Sequence, residues 1–262
     1  MDATASPLDR LLDAHAILAL EHQLHLEDLV EGAAWDVDLG AGTVTFATAA
    51  PLTCTVQFVG SAASDSETWM WGWNNVNGFP DSVIRAAQQV RDFAQEHDVA
   101  ELLEAQAPLA DDTVDRNVLA AKAVSGQLTH VVARANPVAQ VALLLDHPSL
   151  ALPAPSMPRV SRTVLQAIQS GLVRDHRLAV TAYAQARDGV ELAWDDAVGV
   201  LTVPDGVARL TFDGLGRLTD TTFRAGPATP DAPAAPDAPA VHAAPAVPAE
   251  PKREKRGWFR RR

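Results

Sequence analysis

Trp69-Met70-Trp71-Gly72-Trp73 puts three of the chain's six tryptophans at every second position. Side chains alternate faces along a strand, so an extended segment gathers Trp69, Trp71 and Trp73 into one aromatic strip. Such a strip either seals a core or serves as a binding platform. Each large ring buries about 150–250 Å², which favours the core, with the strip packed beneath a helix. Asn74 and Asn75, which follow directly, suit the turn after the strand.

Two helices are placed to cover that strip. Ser6-Pro7 reads as an N-cap with proline at the first helical position, and Asp9 stands where a capping box wants an acceptor. The spacing of Leu8, Leu11, Leu12, Ala19, Leu26, Leu29 and Val30 predicts an amphipathic helix over 7–30, ended by Gly32. Pro80-Asp81-Ser82 opens a second helix with Val83, Ile84, Ala87, Val90, Arg91 and Ala94 on one side. Between them lie strands at 33–39, 43–47 and 52–59, a small polar loop at 60–66, and the tryptophan strand at 68–73. Short connections between consecutive strands predict an antiparallel meander.

Further along, a short helix is expected at 99–107, another at 113–125 stopped by Gly126, then strands at 128–135 and 138–145 separated by Asn136-Pro137. Residues 148–158 hold four prolines and read as a linker or surface strap. A helix capped by Ser161 then runs to about Arg187, with a kink at Gly171. Four strands follow at 190–194, 198–203, 207–212 and 218–223, with hairpin turns at Asp205-Gly206 and Asp213-Gly214. A helix followed by a meander thus occurs twice. Ala34-Trp35-Asp36 and Ala193-Trp194-Asp195 fall on the first strand of each unit, so distant duplication and chance both stay open.

The expected class is α+β, with helices packed on antiparallel meanders. Residues 1–152 form a domain carrying the tryptophan strand, and 153–225 form a helix-plus-meander unit packed with it. From Gly226 to 251 the composition collapses to alanine and proline, which cannot bury enough surface to offset ordering entropy, so a disordered linker is expected. The chain carries a net charge of −12. Its last eleven residues carry about +6 and the body before the linker about −15. An acidic body is a poor nonspecific nucleic-acid binder.

The basic end sets Lys252, Arg253, Lys255, Arg256, Arg260, Arg261 and Arg262 around Trp258 and Phe259. Basic residues near an anionic membrane contribute about 1 kcal/mol each, and an aromatic pair can sit in the interface. The same motif suits a protein partner reading a linear peptide, and less well a nucleic acid stacking on Trp258. A solvated tail is the remaining alternative.

Other chemistry is sparse. Cys54 is the only cysteine, which excludes an intrachain disulfide and any multi-cysteine zinc site. It sits between threonines on a strand, with no adjacent base to make a thiolate. His15, His22 and His25 lie on or beside the stripe of the first helix but form no His-Glu-x-x-His motif, and His130 and His147 are isolated. Asp36 with Asp38, and Asp195 with Asp196, read as exposed strand residues rather than an acid/base pair. Phosphate-loop, dinucleotide, nucleophile-elbow and Cys-x-x-Cys motifs are absent. No catalytic set, metal site or cofactor is implied.

Trp35-Asp36, Val56-Gln57-Phe58-Val59-Gly60-Ser61 and Thr68-Trp69-Met70-Trp71-Gly72-Trp73-Asn74-Asn75 together resemble a family of uncharacterised bacterial domains, common in actinobacteria and known only as a domain of unknown function. The resemblance covers about residues 8–147. It implies a leading helix, strands ending in a Trp-x-Trp strand, then helices and two late strands, and it implies no activity. Gly72 replaces the family's usual small residue, and Asn74 stands where a small residue is common. The element order also looks like a secretion-chaperone-like fold, by analogy alone.

The leading functional expectation is a non-catalytic binding or adaptor module with a tethered basic-aromatic motif. The N-terminus shows no secretory pattern and no run is apolar enough to span a bilayer, so a cytoplasmic location, peripheral at the inner face of the membrane, is expected. The rivals are a small-molecule enzyme or hydrolase with a pocket under the tryptophan strip, and a chaperone-like protein holding an extended client.

Overall fold

The computed structural model describes residues 5–226. Helix α1 (Pro7–Val30) begins as its sequence dictates: the Ser6 hydroxyl accepts from the Asp9 backbone N–H at 3.1 Å. It ends at Glu31 and Gly32, both in the left-handed region. Strands β1 (Trp35–Asp38), β2 (Thr43–Phe46), β3 (Leu52–Ala63) and β4 (Thr68–Trp71) follow as an antiparallel meander. The loop expected at 60–66 is shorter, because Gly60–Ala63 continue β3 and pair with β4. Gly60 permits this close approach: a Cβ there would lie 2.5 Å from the Trp69 ring and from the Met70 carbonyl.

The tryptophan strand ends at Trp71. Gly72–Asn74 turn into a 3₁₀ helix, which takes Trp73 off the strand. Gly72 is required there, since a Cβ would meet the Phe58 carbonyl at 2.7 Å. Helix α2 (Asp81–Glu96) packs over β3 and buries Val83, Ile84, Ala87, Val90 and Ala94, while Arg91 stays at the surface beside Trp73. The helix expected at 99–107 is replaced by a 3₁₀ turn at Ala100–Leu102 and strand β5 (Gln106–Pro108). β5 pairs with β4, and the polar backbone of that edge outweighs the local helical pattern.

Helix α3 (Thr113–Ser125) ends at Gly126, and strands β6 (Thr129–Arg134) and β7 (Ala139–Asp146) form a hairpin. β7 pairs along most of β3, opposite β2 and β4, completing a seven-stranded sheet. The long helix expected after residue 161 is two helices, α4 (Met157–Gln169) and α5 (His176–Ala186). Pro158 falls in the first turn of α4, where proline is tolerated, so the helix starts before Ser161. Gly171 at φ +77° terminates the first helix, and Asp175 caps the second through the Leu178 N–H. A four-stranded meander of β8 (Glu191–Asp195), β9 (Val198–Val203), β10 (Gly206–Phe212) and β11 (Leu218–Ala225) completes the α+β fold.

Helix α1 joins the parts. It packs against α3, α4 and α5 and reaches β6. One hydrophobic cluster runs from Trp69 and Trp71 through α1 to Val164, Tyr183 and Leu201. Polar staples reinforce the junction. Asp13 is buried and accepts the backbone N–H groups of Arg174 (2.7 Å) and Asp175 (3.1 Å). Glu21 holds Arg187 (2.9 and 3.2 Å) and the Tyr183 hydroxyl (2.9 Å), and Arg187 also donates to the Pro153 carbonyl. Asp9 pairs with Arg116 (2.9 Å) and Arg174 (2.7 Å). Among the described residues no helix is long and apolar enough to cross a membrane. Beyond Gly226, the linker expected to 251 and the motif at 252–262 lie outside the described residues.

Candidate functional site

Trp69 and Trp71 lie in the protein interior. Trp69 and Trp71 are 0% and 1% exposed and stack edge to face, with ring centroids 5.5 Å apart. Neither indole face is open to a ligand. Trp73 is half-buried, with the Arg91 guanidinium 5.7 Å from its ring. None of the three indole N–H groups finds an acceptor among the described residues.

A cavity of about 330 Å³ lies elsewhere, where α1, α3, β6 and the end of α4 meet. The local sequence explains the space. α1 presents Ala16, Ala19 and Leu20, and α4 presents Ala167, then Ser170 and Gly171 past its last turn. These are mostly small side chains where helices converge. α3 presents Asp115, Val118, Leu119 and Lys122, which fall on one helical face at i, i+3, i+4 and i+7. Asp111 and Asp112, just before α3, also line the cavity.

Lys122 is the chemical centre. It is 4% exposed, and its one hydrogen-bond partner among the described residues is Gln23 Oε1, at 3.5 Å. An ammonium brings three donors, so this single long bond leaves most of its hydrogen-bonding capacity unmet, and the residue lines the cavity. Burial lowers its pKa to about 7, and the Asp115 charge opposes that only in part. The Asp115 carboxyl is raised chiefly by desolvation and further by the Asp112 charge, with Lys122 opposing, although the residue also reaches solvent.

His130 completes the group. The Gln23 amide is oriented by its Nε2, which donates to the His130 carbonyl at 3.2 Å. Gln23 Oε1 then accepts the His130 backbone N–H at 3.2 Å and ring Nδ1 at 2.7 Å. An amide oxygen only accepts, so Nδ1 carries the proton and Nε2 keeps its lone pair. Burial, then the Lys122 charge, holds the ring well below the usual histidine pKa. His22, one residue before Gln23, is lowered to about 4, chiefly by burial.

The other sequence candidates are not brought together. His15 Nδ1 bonds the Leu11 carbonyl, His25 Nε2 lies 3.3 Å from the Ser149 carbonyl, and His147 caps Ser149. Asp36 and Asp38 lie on the exposed face of β1, and Asp195 and Asp196 are exposed. Cys54 is buried, and desolvation pushes its thiol up to about 11. Among the described residues no group of three or more His, Cys, Asp or Glu is placed to hold a metal ion.

No sequence motif marks Lys122 or Gln23, and His130 stands isolated in the sequence. One signal was available: only three of the 21 basic residues are lysine, and the other two are Lys252 and Lys255. A body that otherwise uses arginine keeps a single lysine and buries it.

A family model described as a family of unknown function (DUF6882) matches residues 9–148. That span includes Gln23, Asp115, Lys122 and His130, whereas the α4 wall lies beyond it. No curated protein and no solved structure matches the chain.

Proposed function

The chain belongs to this family of unknown function, and we propose that its folded body is a binding module for a small molecule, held in the α1–α3–α4 cavity with Lys122 as anchor. The observation that carries this reading is a buried amine with one long hydrogen bond, set against a cavity of about 330 Å³. Burying such a group without partners costs stability, and sites that break the packing rules in this way are where function is expected. The cavity has the size and the mix of apolar wall and few polar groups that small-molecule sites show. A pocket under the tryptophan strip draws no support, because none of Trp69, Trp71 and Trp73 lines this cavity.

The test is a thermal-shift screen of small carbonyl compounds, amines, alcohols and acids, run on the wild type and on Ala19→Leu, which narrows the cavity. A ligand at 100 times its Kd stabilises by about 2.7 kcal/mol. The expected result is one chemical class that raises the wild-type Tm and leaves Ala19→Leu unmoved. If no class shifts the wild type, the reading is wrong.

The basic-aromatic motif, Lys252–Arg262, adds a second contact. Its charge and Trp258-Phe259 pair support an anionic membrane surface, which would place the protein in the cytoplasm against the inner leaflet, with the acidic body tethered nearby. Co-sedimentation with vesicles containing phosphatidylserine, and with vesicles lacking it, tests this. Capture of a protein partner without vesicle binding would favour the peptide reading instead.

A further inference from the structure

We propose that Lys122 captures a small uncharged aldehyde in the cavity as a reversible imine; this deepens the small-molecule reading and rests on it. Three observations lead there. First, the cavity wall carries Asp111, Asp112 and Asp115 and no arginine. An anionic ligand would meet three carboxylates, whereas an uncharged carbonyl compound meets no such repulsion. Second, the position holds lysine in a body that elsewhere uses arginine. A guanidinium does not deprotonate, but an amine does, and only the neutral amine attacks a carbonyl. Third, His130 is fixed by Gln23 in the tautomer that leaves Nε2 a proton acceptor.

The step balances without oxidant or reductant. The Nζ lone pair attacks the carbonyl carbon, and one amine proton passes, with His130 Nε2 as its carrier, to the oxygen. The resulting carbinolamine loses its hydroxyl as water, taking up the second amine proton, and the C=N bond forms. Leu20, Val118 and Leu119 line the same space and disfavour the returning water. Desolvation keeps much of the amine neutral near pH 7. Asp115 on α3, His22 on α1 and His130 on β6 are the titratable groups electrostatically coupled to it, with the Glu21–Arg187 pair behind His22.

Full-length protein is incubated with hexanal and sodium cyanoborohydride at pH 7, and the alkylated residues are mapped by peptide mass spectrometry. Lys252 and Lys255 serve as internal controls, with the α-amino group mapped separately. Because a neutral amine is far scarcer on an ordinary lysine, Lys122 is expected to gain a hexyl group roughly tenfold or more faster than either control. His130→Gln is expected to slow the labelling of Lys122 while leaving the control lysines unchanged. Labelling of Lys252 and Lys255 without Lys122 would overturn the proposal. If hexanal raises the Tm of wild type and Lys122→Met equally with no Lys122 adduct, the imine fails and the cavity reading stands. If hexanal produces neither adduct nor shift, the imine fails again, and the small-molecule reading is then decided by the other classes of the screen.

Discussion

Burial of Lys122 against Gln23 and His130 gives this residue a cost that can be measured. Its pKa falls from 10.5 to about 7, so between those values the unfolded chain holds a proton that the folded chain has released. Stability therefore rises with pH through that window, and the penalty is fully present at and below about pH 7. Lys122→Met removes the penalty. It is expected to stabilise the fold by up to about 4 kcal/mol at neutral pH, with the gain shrinking toward pH 10, as urea unfolding at a series of pH values would show. A flat or negative difference would mean that the amine is well solvated. Glu21 behaves oppositely. Glu21→Ala strands the Arg187 charge and the Tyr183 hydroxyl in the interior, and a loss of about 3–5 kcal/mol is expected in denaturant unfolding.

At the scale of elements, glycine positions govern the tryptophan strand. Gly72→Ala drives a methyl group into the Phe58 carbonyl, so its Tm is expected to fall by the equivalent of about 1–3 kcal/mol. The turn between α4 and α5 depends on Asp13 in the same way. Asp13→Ala leaves two backbone donors unpaired, and hydrogen exchange of Arg174 and Asp175 is expected to accelerate while the exchange of β3 barely changes. Elements governed by local pattern are legible from sequence: α1 by its cap and stripe, α2 by its opening Pro80-Asp81-Ser82 and apolar side, α3 by its Gly126 stop, and the meander strands by short runs bounded by turn residues. Elements governed by distant partners are not. β5 is set by its pairing with β4, and the break at Gly171, expected only as a kink, becomes a full separation of α4 from α5 where Asp13, more than 150 residues earlier, accepts the Arg174 and Asp175 N–H groups.

For the whole molecule the same division holds. The α+β class and the two meanders could be read, but the cavity could not, since its walls come from residues 16–20, 111–122, 130 and 167–172. Lys122 sits in an otherwise ordinary helical pattern, and only its being the sole lysine before residue 252 sets it apart. The charge division predicts an independent tail. Deleting Lys252–Arg262 is expected to leave the Tm unchanged and to abolish sedimentation with phosphatidylserine vesicles. Retained sedimentation would place the contact on the body.

The desolvated amine is the claim on which the site rests, and three lysines make it directly measurable. Lysine labelled at Cε and Nζ should give three NMR signals in the full-length protein, with Lys122 assigned by its loss in Lys122→Met. This signal is expected to titrate near 7 while the other two titrate near the ordinary lysine value. Three signals that all titrate above about 10 would contradict it.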